Sequence, residues 1–180
     1  RPMICWSLQT LDKLQIPVFV YTNYINEIKE IIDFETNNIS FLERPQHLDS
    51  NDAIGLDIYK EFSKSVDSDI YLLAHCTSPF LSLETYKKCI EAVKDKKHAS
   101  SLTVKKEQTF IWYAEEKLNF TLPRQKTQDI EPIFIETSAA YCYKKNVLES
   151  GSRSCDKPSL IITEGIETID IDEEIDLEMA

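Results

Sequence analysis

Residues 69–79 read DIYLLAHCTSP. The short apolar run Asp69–Ala74 predicts a strand, and Pro79 forces a turn just beyond its end. After that turn, Ser82 is placed to cap a helix over Leu83–Val93, with Glu84 in its first turn. A strand, a tight turn and a capped helix in eleven-odd residues each way set the pattern for the chain.

The same alternation recurs on both sides. The spacing of Ile4, Leu8, Leu11 and Leu14 predicts a helix within residues 3–14, stopped before Pro17. Pro17–Tyr21 reads as a strand buried on both faces, as parallel strands are. Asn23 is placed to cap a second helix, with Ile25, Ile28, Ile31 and Ile32 as its buried stripe. A strand is expected at Ile39–Leu42, ending at Arg44-Pro45, then a helix over Asp52–Val66 with Ile54, Ile58 and Phe62 on one side. Downstream, strands are predicted at Ala99–Val104, Phe110–Tyr113 and Ile133–Tyr143. The closing Ile166–Asp172 alternates cleanly and reads as a last strand before a short acidic helix. Strands alternating with helices imply βαβ units with right-handed crossovers. Residues 105–132 break the pattern with polar, hairpin-like sequence, either an excursion over the active site or a dimerisation arm. The expectation is one α/β domain over residues 1–180, three αβα layers around a mostly parallel sheet.

Composition narrows the function. The chain has 180 residues, 42% of them hydrophobic, enough to bury a core without disulfide staples. Lys and Arg number 20 against 31 Asp and Glu, a net charge of −11, which argues against non-specific binding of nucleic acid or an anionic membrane. No apolar run approaches the roughly 18 residues of a membrane span. Five cysteines form no C-x-x-C pair, which disfavours zinc and disulfide frameworks and fits a reducing cytoplasm. Cys76, Cys89 and Cys142 read as reduced core thiols. None of the three glycines lies in a G-x-G or G-x-x-x-x-G-K pattern.

In an open α/β sheet, ligands bind outside the carboxyl ends of the strands, and that rule selects the candidate residues. Asp170 and Asp172, two apart on a predicted strand, would share a face about 7 Å apart while Ile169 and Ile171 turn to the core. Such a pair can grip a hydrated Mg²⁺, or simply belong to a solvated acidic terminus. His75, Thr77 and Ser78 end the central strand, where hydroxyls can bond a sugar or cap the next helix. Arg44 follows a strand and can contact a nucleotide. Arg124 and Gln125 open a polar cluster that runs to Asp129, and Arg124 can fork onto a carboxylate or stay in a solvated loop. Tyr141 and Trp112 read as core or interface aromatics.

Taken together and in order, these features resemble the N-acylneuraminate cytidylyltransferase (CMP-sialic acid synthetase) family. The resemblance rests on the opening R-P-M-I-x-W, R-P-x-x-L from Arg44, T-S-P from Thr77, R-Q from Arg124 with a downstream Q-D and E-P, A-A-Y ending at Tyr141, and I-D-I-D-x-x-x-D near the end. It implies a Rossmann-like nucleotidyltransferase fold and Mg²⁺-dependent transfer of CMP from CTP to a nonulosonic (sialic-type) sugar acid, with release of pyrophosphate. By position, Asp170 and Asp172 resemble the metal-binding carboxylates, and Arg44 an arginine that contacts the nucleotide. His75, Thr77 and Ser78 lie where the family lines its sugar pocket, Arg124 and Gln125 match a polar pair near the sugar acid, and Tyr141 matches a strand aromatic. The resemblance also implies a homodimer. It departs where His75-Cys76 stands in place of the usual Gln-Pro, and Thr22-Asn23 in place of S-T-D. The family's first strand and basic phosphate-cradling loop are expected upstream of Arg1. A non-catalytic nucleotide-sugar-binding relative, and an α/β phosphohydrolase using the D-x-D aspartate, stay open as alternatives.

Overall fold

In the computed structural model, which describes residues 1–50 and 52–180, helices and strands alternate as far as Glu107. The order is α1 (Met3–Leu11), β1 (Val18–Thr22), α2 (Ile25–Ile31), β2 (Ile39–Glu43), α3 (Gly55–Ser65), β3 (Ile70–Ala74), α4 (Leu83–Lys94) and β4 (Ser100–Glu107). A small hairpin, β5 (Trp112–Tyr113) with β6 (Glu116–Lys117), leads into the long β7 (Ile133–Lys144), then α5 (Lys145–Glu149), β8 (Ser159–Thr163) and α6 (Glu174–Met179). The Ser82 side chain accepts from Thr85 N at 3.2 Å, the cap that its position before α4 calls for.

The larger sheet has the order β3-β7-β4-β8. Its strands β3, β4 and β8 run one way, and β7 is antiparallel to both neighbours. Strands β1 and β2 form a separate parallel pair. Phe62 of α3 packs on Phe19 and Tyr21 of β1 and on Tyr71 of β3, so one helix covers both sheets.

Alternation along β7 divides the core. Ala140 and Cys142 face Leu11 of α1 and Tyr86, Cys89, Ile90 and Val93 of α4. Tyr141 and Tyr143 face the other way, onto Val147 and Leu148 of α5, with Leu56, Tyr59 and Phe62 of α3 packed alongside. Helices therefore lie on both faces of the sheet, giving the expected three-layer α/β architecture with a mainly parallel sheet.

Several local expectations fail. Residues 166–172 are not a strand: Gly165–Thr168 forms a 3₁₀ turn and the segment after it is extended but outside the sheet. The last strand is Ser159–Thr163, which pairs in parallel with β4. The isoleucines of α2 are not a buried stripe, because that helix buries no residue and Ile31 is 41% exposed. Asn23 does not cap α2, which has no side-chain cap; its amide donates to Asp49 instead. Cys76 is exposed rather than core, whereas Cys5, Cys89 and Cys142 are buried, and all five thiols are free.

Candidate active site

Two chain segments meet at the carboxyl end of β3. The turn that follows the strand begins with His75, whose N–H still reaches across to Ala139 O of β7 at 3.0 Å. Ile171 N donates to Thr77 O at 2.8 Å, which lays the 169–172 segment along that turn. Ile171 is the buried anchor of this contact, at 6% exposed, and Asp170 and Asp172 flank it. Ser78, buried beneath, donates its hydroxyl to Asp170 Oδ1 at 3.2 Å.

Glu167 fixes the approach of that segment. Its Oε1 accepts from Ser82 N at 2.8 Å and from the Thr85 hydroxyl at 2.9 Å, so the carboxylate sits on the first turn of α4. There it satisfies one of the helix's orphan donors and meets the positive end of the helix dipole.

Strand β7 supplies the other wall. Leu102 pairs with Tyr141, yet Val104 already pairs with Glu136, so β7 bulges between those two residues. Ser138 takes a left-handed φ of 56° within the bulge, and Thr103 Oγ1 fills it, accepting from Ala140 N at 3.1 Å and from the Thr137 hydroxyl at 2.8 Å. The bulge re-aims Glu136 so that its Oε2 accepts the Tyr141 hydroxyl at 2.9 Å. Arg153, from the loop between α5 and β8, donates to the same hydroxyl at 3.0 Å, with its guanidinium carbon 4.0 Å from the Tyr141 ring centroid. The His75 ring lies 6.1 Å from that of Tyr141.

These charges act on one another. Burial lowers the His75 pKa below its ordinary 6.5, and the Arg153 cation adds to the effect, while Asp170 and Asp172 pull the other way. Burial raises the Tyr141 phenol above 10, with Glu136 adding and Ser138 and Arg153 opposing, so it stays a protonated donor. An imidazole, a buried phenol and a cation in contact with it thus gather at the end of β3, where the segment carrying the two carboxylates docks.

Asp170 and Asp172 are hard oxygen donors that both act on His75, and this donor set fits Mg²⁺, which needs only one or two carboxylates besides water and phosphate. Among the described residues there is no cluster of three or more such ligands, so a cage of protein ligands is not what this site offers.

The remaining candidates sit elsewhere. Arg44, at the end of β2, pairs with Asp49, and its backbone N–H donates to Thr22 O at 3.3 Å at the end of β1. Its Nε is buried without a hydrogen-bond partner. Arg124 stacks within the 105–132 excursion, its guanidinium 5.2 Å and 5.6 Å from the Phe110 and Phe120 rings. Gln125 also bonds locally, its Oε1 accepting from Thr121 N at 3.1 Å. No contact joins either to the His75 crevice among the described residues. Sequence reading missed Arg153, Glu136 and Glu167; only the Gly151-Ser152-Arg153-Ser154 run, an arginine set among turn formers, marked one of them.

The cytidylyltransferase family model matches residues 1–156. A solved structure of 4-diphosphocytidyl-2C-methyl-D-erythritol synthase from Anaerococcus prevotii superposes with a TM-score of 0.68 at 14% identity, covering 99% of this chain and 84% of that one. A CMP:2-keto-3-deoxy-manno-octonic acid synthetase complexed with CTP gives 0.63 at 15% identity, covering 99% and 86%. The 2-C-methyl-D-erythritol 4-phosphate cytidylyltransferase of Thermus thermophilus gives 0.57 at 13%, again covering 99% and 86%. At such identities the likeness establishes the shared fold. No curated protein matches the sequence. No helix among the described residues is long and apolar enough to cross a membrane.

Proposed function

Because this chain belongs to the cytidylyltransferase family, we propose that it moves CMP from CTP to a nonulosonic, sialic-type sugar acid, releasing pyrophosphate. The observation that carries this reading is the junction of the His75–Ser78 turn with Asp170 and Asp172, tied by the 2.8 Å bond from Ile171 N to Thr77 O. It sets a carboxylate pair beside half-buried His75 and Thr77, polar groups that suit a polyhydroxylated acceptor, while Ser78 and Tyr141, expected to line the sugar pocket, are buried at 2% and 1% exposed and support the site from beneath. We extend the reading to a homodimer, supported by the apolar side chains the excursion exposes, Trp112, Tyr113, Leu118 and Leu122 among them.

In this reaction the anomeric hydroxyl of the sugar attacks the α-phosphorus of CTP and pyrophosphate leaves in line. The protein's part is positioning and charge management. Asp170 and Asp172 would hold Mg²⁺, which when bound neutralises phosphate charge. Ser78 orients Asp170 through its hydrogen bond. His75, kept neutral by burial and Arg153, offers an imidazole nitrogen to a sugar hydroxyl. The Tyr141 hydroxyl is fixed between Glu136 and Arg153, so the buried ring holds the Arg153 guanidinium in place. Arg44, at the ends of β1 and β2, is the nucleotide contact in this reading.

The test is release of pyrophosphate from CTP across a panel of nonulosonic acids, with Asp172→Asn as the key variant. Loss of one metal ligand should cut turnover roughly 100-fold or more while leaving the melting temperature in place. Turnover in Asp172→Asn equal to wild type would remove the metal assignment, and binding of CTP and sugar acid without turnover in the wild type would favour a non-catalytic relative.

A further inference from the structure

Arg153 is held in place with unusual care for a loop arginine. After α5, Gly151 takes a φ of 90°, in the left-handed region glycine favours, and turns the chain back toward the sheet. Gly151 N bonds Leu148 O at 3.0 Å and Ser152 N bonds Val147 O at 3.3 Å, closing the end of the helix. Past the arginine, Cys155 N donates to Ser100 Oγ at 2.9 Å, which pins the loop to the start of β4. The guanidinium then lies over the Tyr141 ring and spends one N–H on its hydroxyl.

What the arginine lacks is a carboxylate. In a chain with 31 acidic residues against 20 basic ones, Arg153 has no acidic oxygen within 4.0 Å among the described residues. Glu136, the nearest link in its network, accepts from Tyr141 instead. A half-buried guanidinium stacked on an aromatic ring and short of an anionic partner has donors left in a fixed plane, the geometry that takes a planar carboxylate in a two-pronged contact. The Tyr141 ring beneath it lies 6.1 Å from the His75 ring, at the end of β3 where the 169–172 segment docks on Thr77. That strand end therefore presents a cation for one anionic group and a carboxylate pair for a metal-borne one.

We propose that Arg153 receives the carboxylate of the acceptor sugar acid, the role that the sequence pattern alone assigned to Arg124. The inference rests on the acceptor reading above and names the residue that sets acceptor class: an acid beside the reacting carbon, rather than a neutral sugar. Arg124, stacked on Phe110 and Phe120, serves the excursion.

The experiment is equilibrium binding by calorimetry of N-acetylneuraminate and its 1-carboxamide to the whole chain, alongside CTP. The wild type should prefer the carboxylate by about 10- to 100-fold, the worth of a charge-assisted pair. Arg153→Gln should abolish that preference, with the loss falling on the acceptor and not on CTP. Arg153→Lys, which keeps the charge without the fork, should retain only part of it, and it carries the test if the Gln variant does not fold. An Arg153→Gln protein that still prefers the carboxylate, that loses CTP affinity instead, or that is matched in its loss by Arg124→Gln alone overturns the inference and leaves the acceptor reading standing. A wild type that binds neither probe overturns both.

Discussion

Replacing Glu167 with Ala separates a structural device from a solvated acidic tail. The carboxylate accepts two short hydrogen bonds from the first turn of α4, at 2.8 Å from Ser82 N and 2.9 Å from the Thr85 hydroxyl. Thr85 is only 4% exposed, so its hydroxyl loses a partner that water cannot easily replace. A hydrogen bond to a charged group contributes about 1.5–3 kcal/mol, and a carboxylate at a helix N-terminus about 0.3–1 kcal/mol more. Ser82 Oγ can still meet the Thr85 hydroxyl at 3.1 Å, which offsets part of the loss. A net destabilisation of about 2 kcal/mol is therefore expected. For a domain of 150–250 residues that is a fall in melting temperature of roughly 4–8 °C. Thermal unfolding followed by circular dichroism reads it, and Thr85→Val completes a double-mutant cycle whose coupling should be about 1 kcal/mol. A Glu167→Ala protein that melts with the wild type, or strictly additive effects in the cycle, would refute the claim that this residue docks the 169–172 segment.

His75 makes the pH dependence testable. Its folded pKa is lowered, so between that value and 6.5 the unfolded chain binds a proton that the folded chain does not, and stability should fall as pH drops through that window. His75→Gln should flatten the slope of stability against pH below 6.5, as measured by urea melts at several pH values; an unchanged slope would put the titration elsewhere. Burial is the main cause of the lowering, with Arg153 adding to it and Asp170 and Asp172 opposing, so Arg153→Gln should raise the lower edge of the window and narrow it. For the excursion, light scattering at micromolar concentration should give twice the 20.8 kDa chain mass, and a Trp112→Glu, Leu118→Glu variant should give the monomer; a wild-type monomer would dismiss the homodimer.

How much could be read before the structure depends on what kind of signal each residue carries. The strand at Ile70–Ala74 and the helix at Leu83–Lys94 were legible because apolar run, turn-forming proline and capping serine all agree there. The direction of a single strand was not, because period-two patterning is the same up or down; β7 runs antiparallel between β3 and β4 in a sheet whose other strands run one way. The isoleucines of α2 have helical spacing, yet they are at most half-buried, since spacing records which side chains share a face and not how fully that face is covered.

The Ile169–Asp172 segment shows the same limit at the site itself. Its alternation holds only in part: Ile171 is buried and Asp172 exposed, while Ile169 and Asp170 are both half-buried. The cause is docking against Thr77 and Ser78 rather than a strand ladder, and short alternation cannot tell the two apart. The two aspartates were singled out on a strand pattern that the backbone does not have, and His75–Ser78 because turn residues at strand ends are a local signal; the structure brings the two segments together. Arg153 and Glu136 reach Tyr141 only because Gly151 reverses the chain after α5 and because β7 bulges between Glu136 and Tyr141. Neither device has a sequence period. The residues that depend on them are thus visible only once the backbone is in place, which is why the pattern put the acceptor's cation in the excursion and the geometry points to the loop before β8.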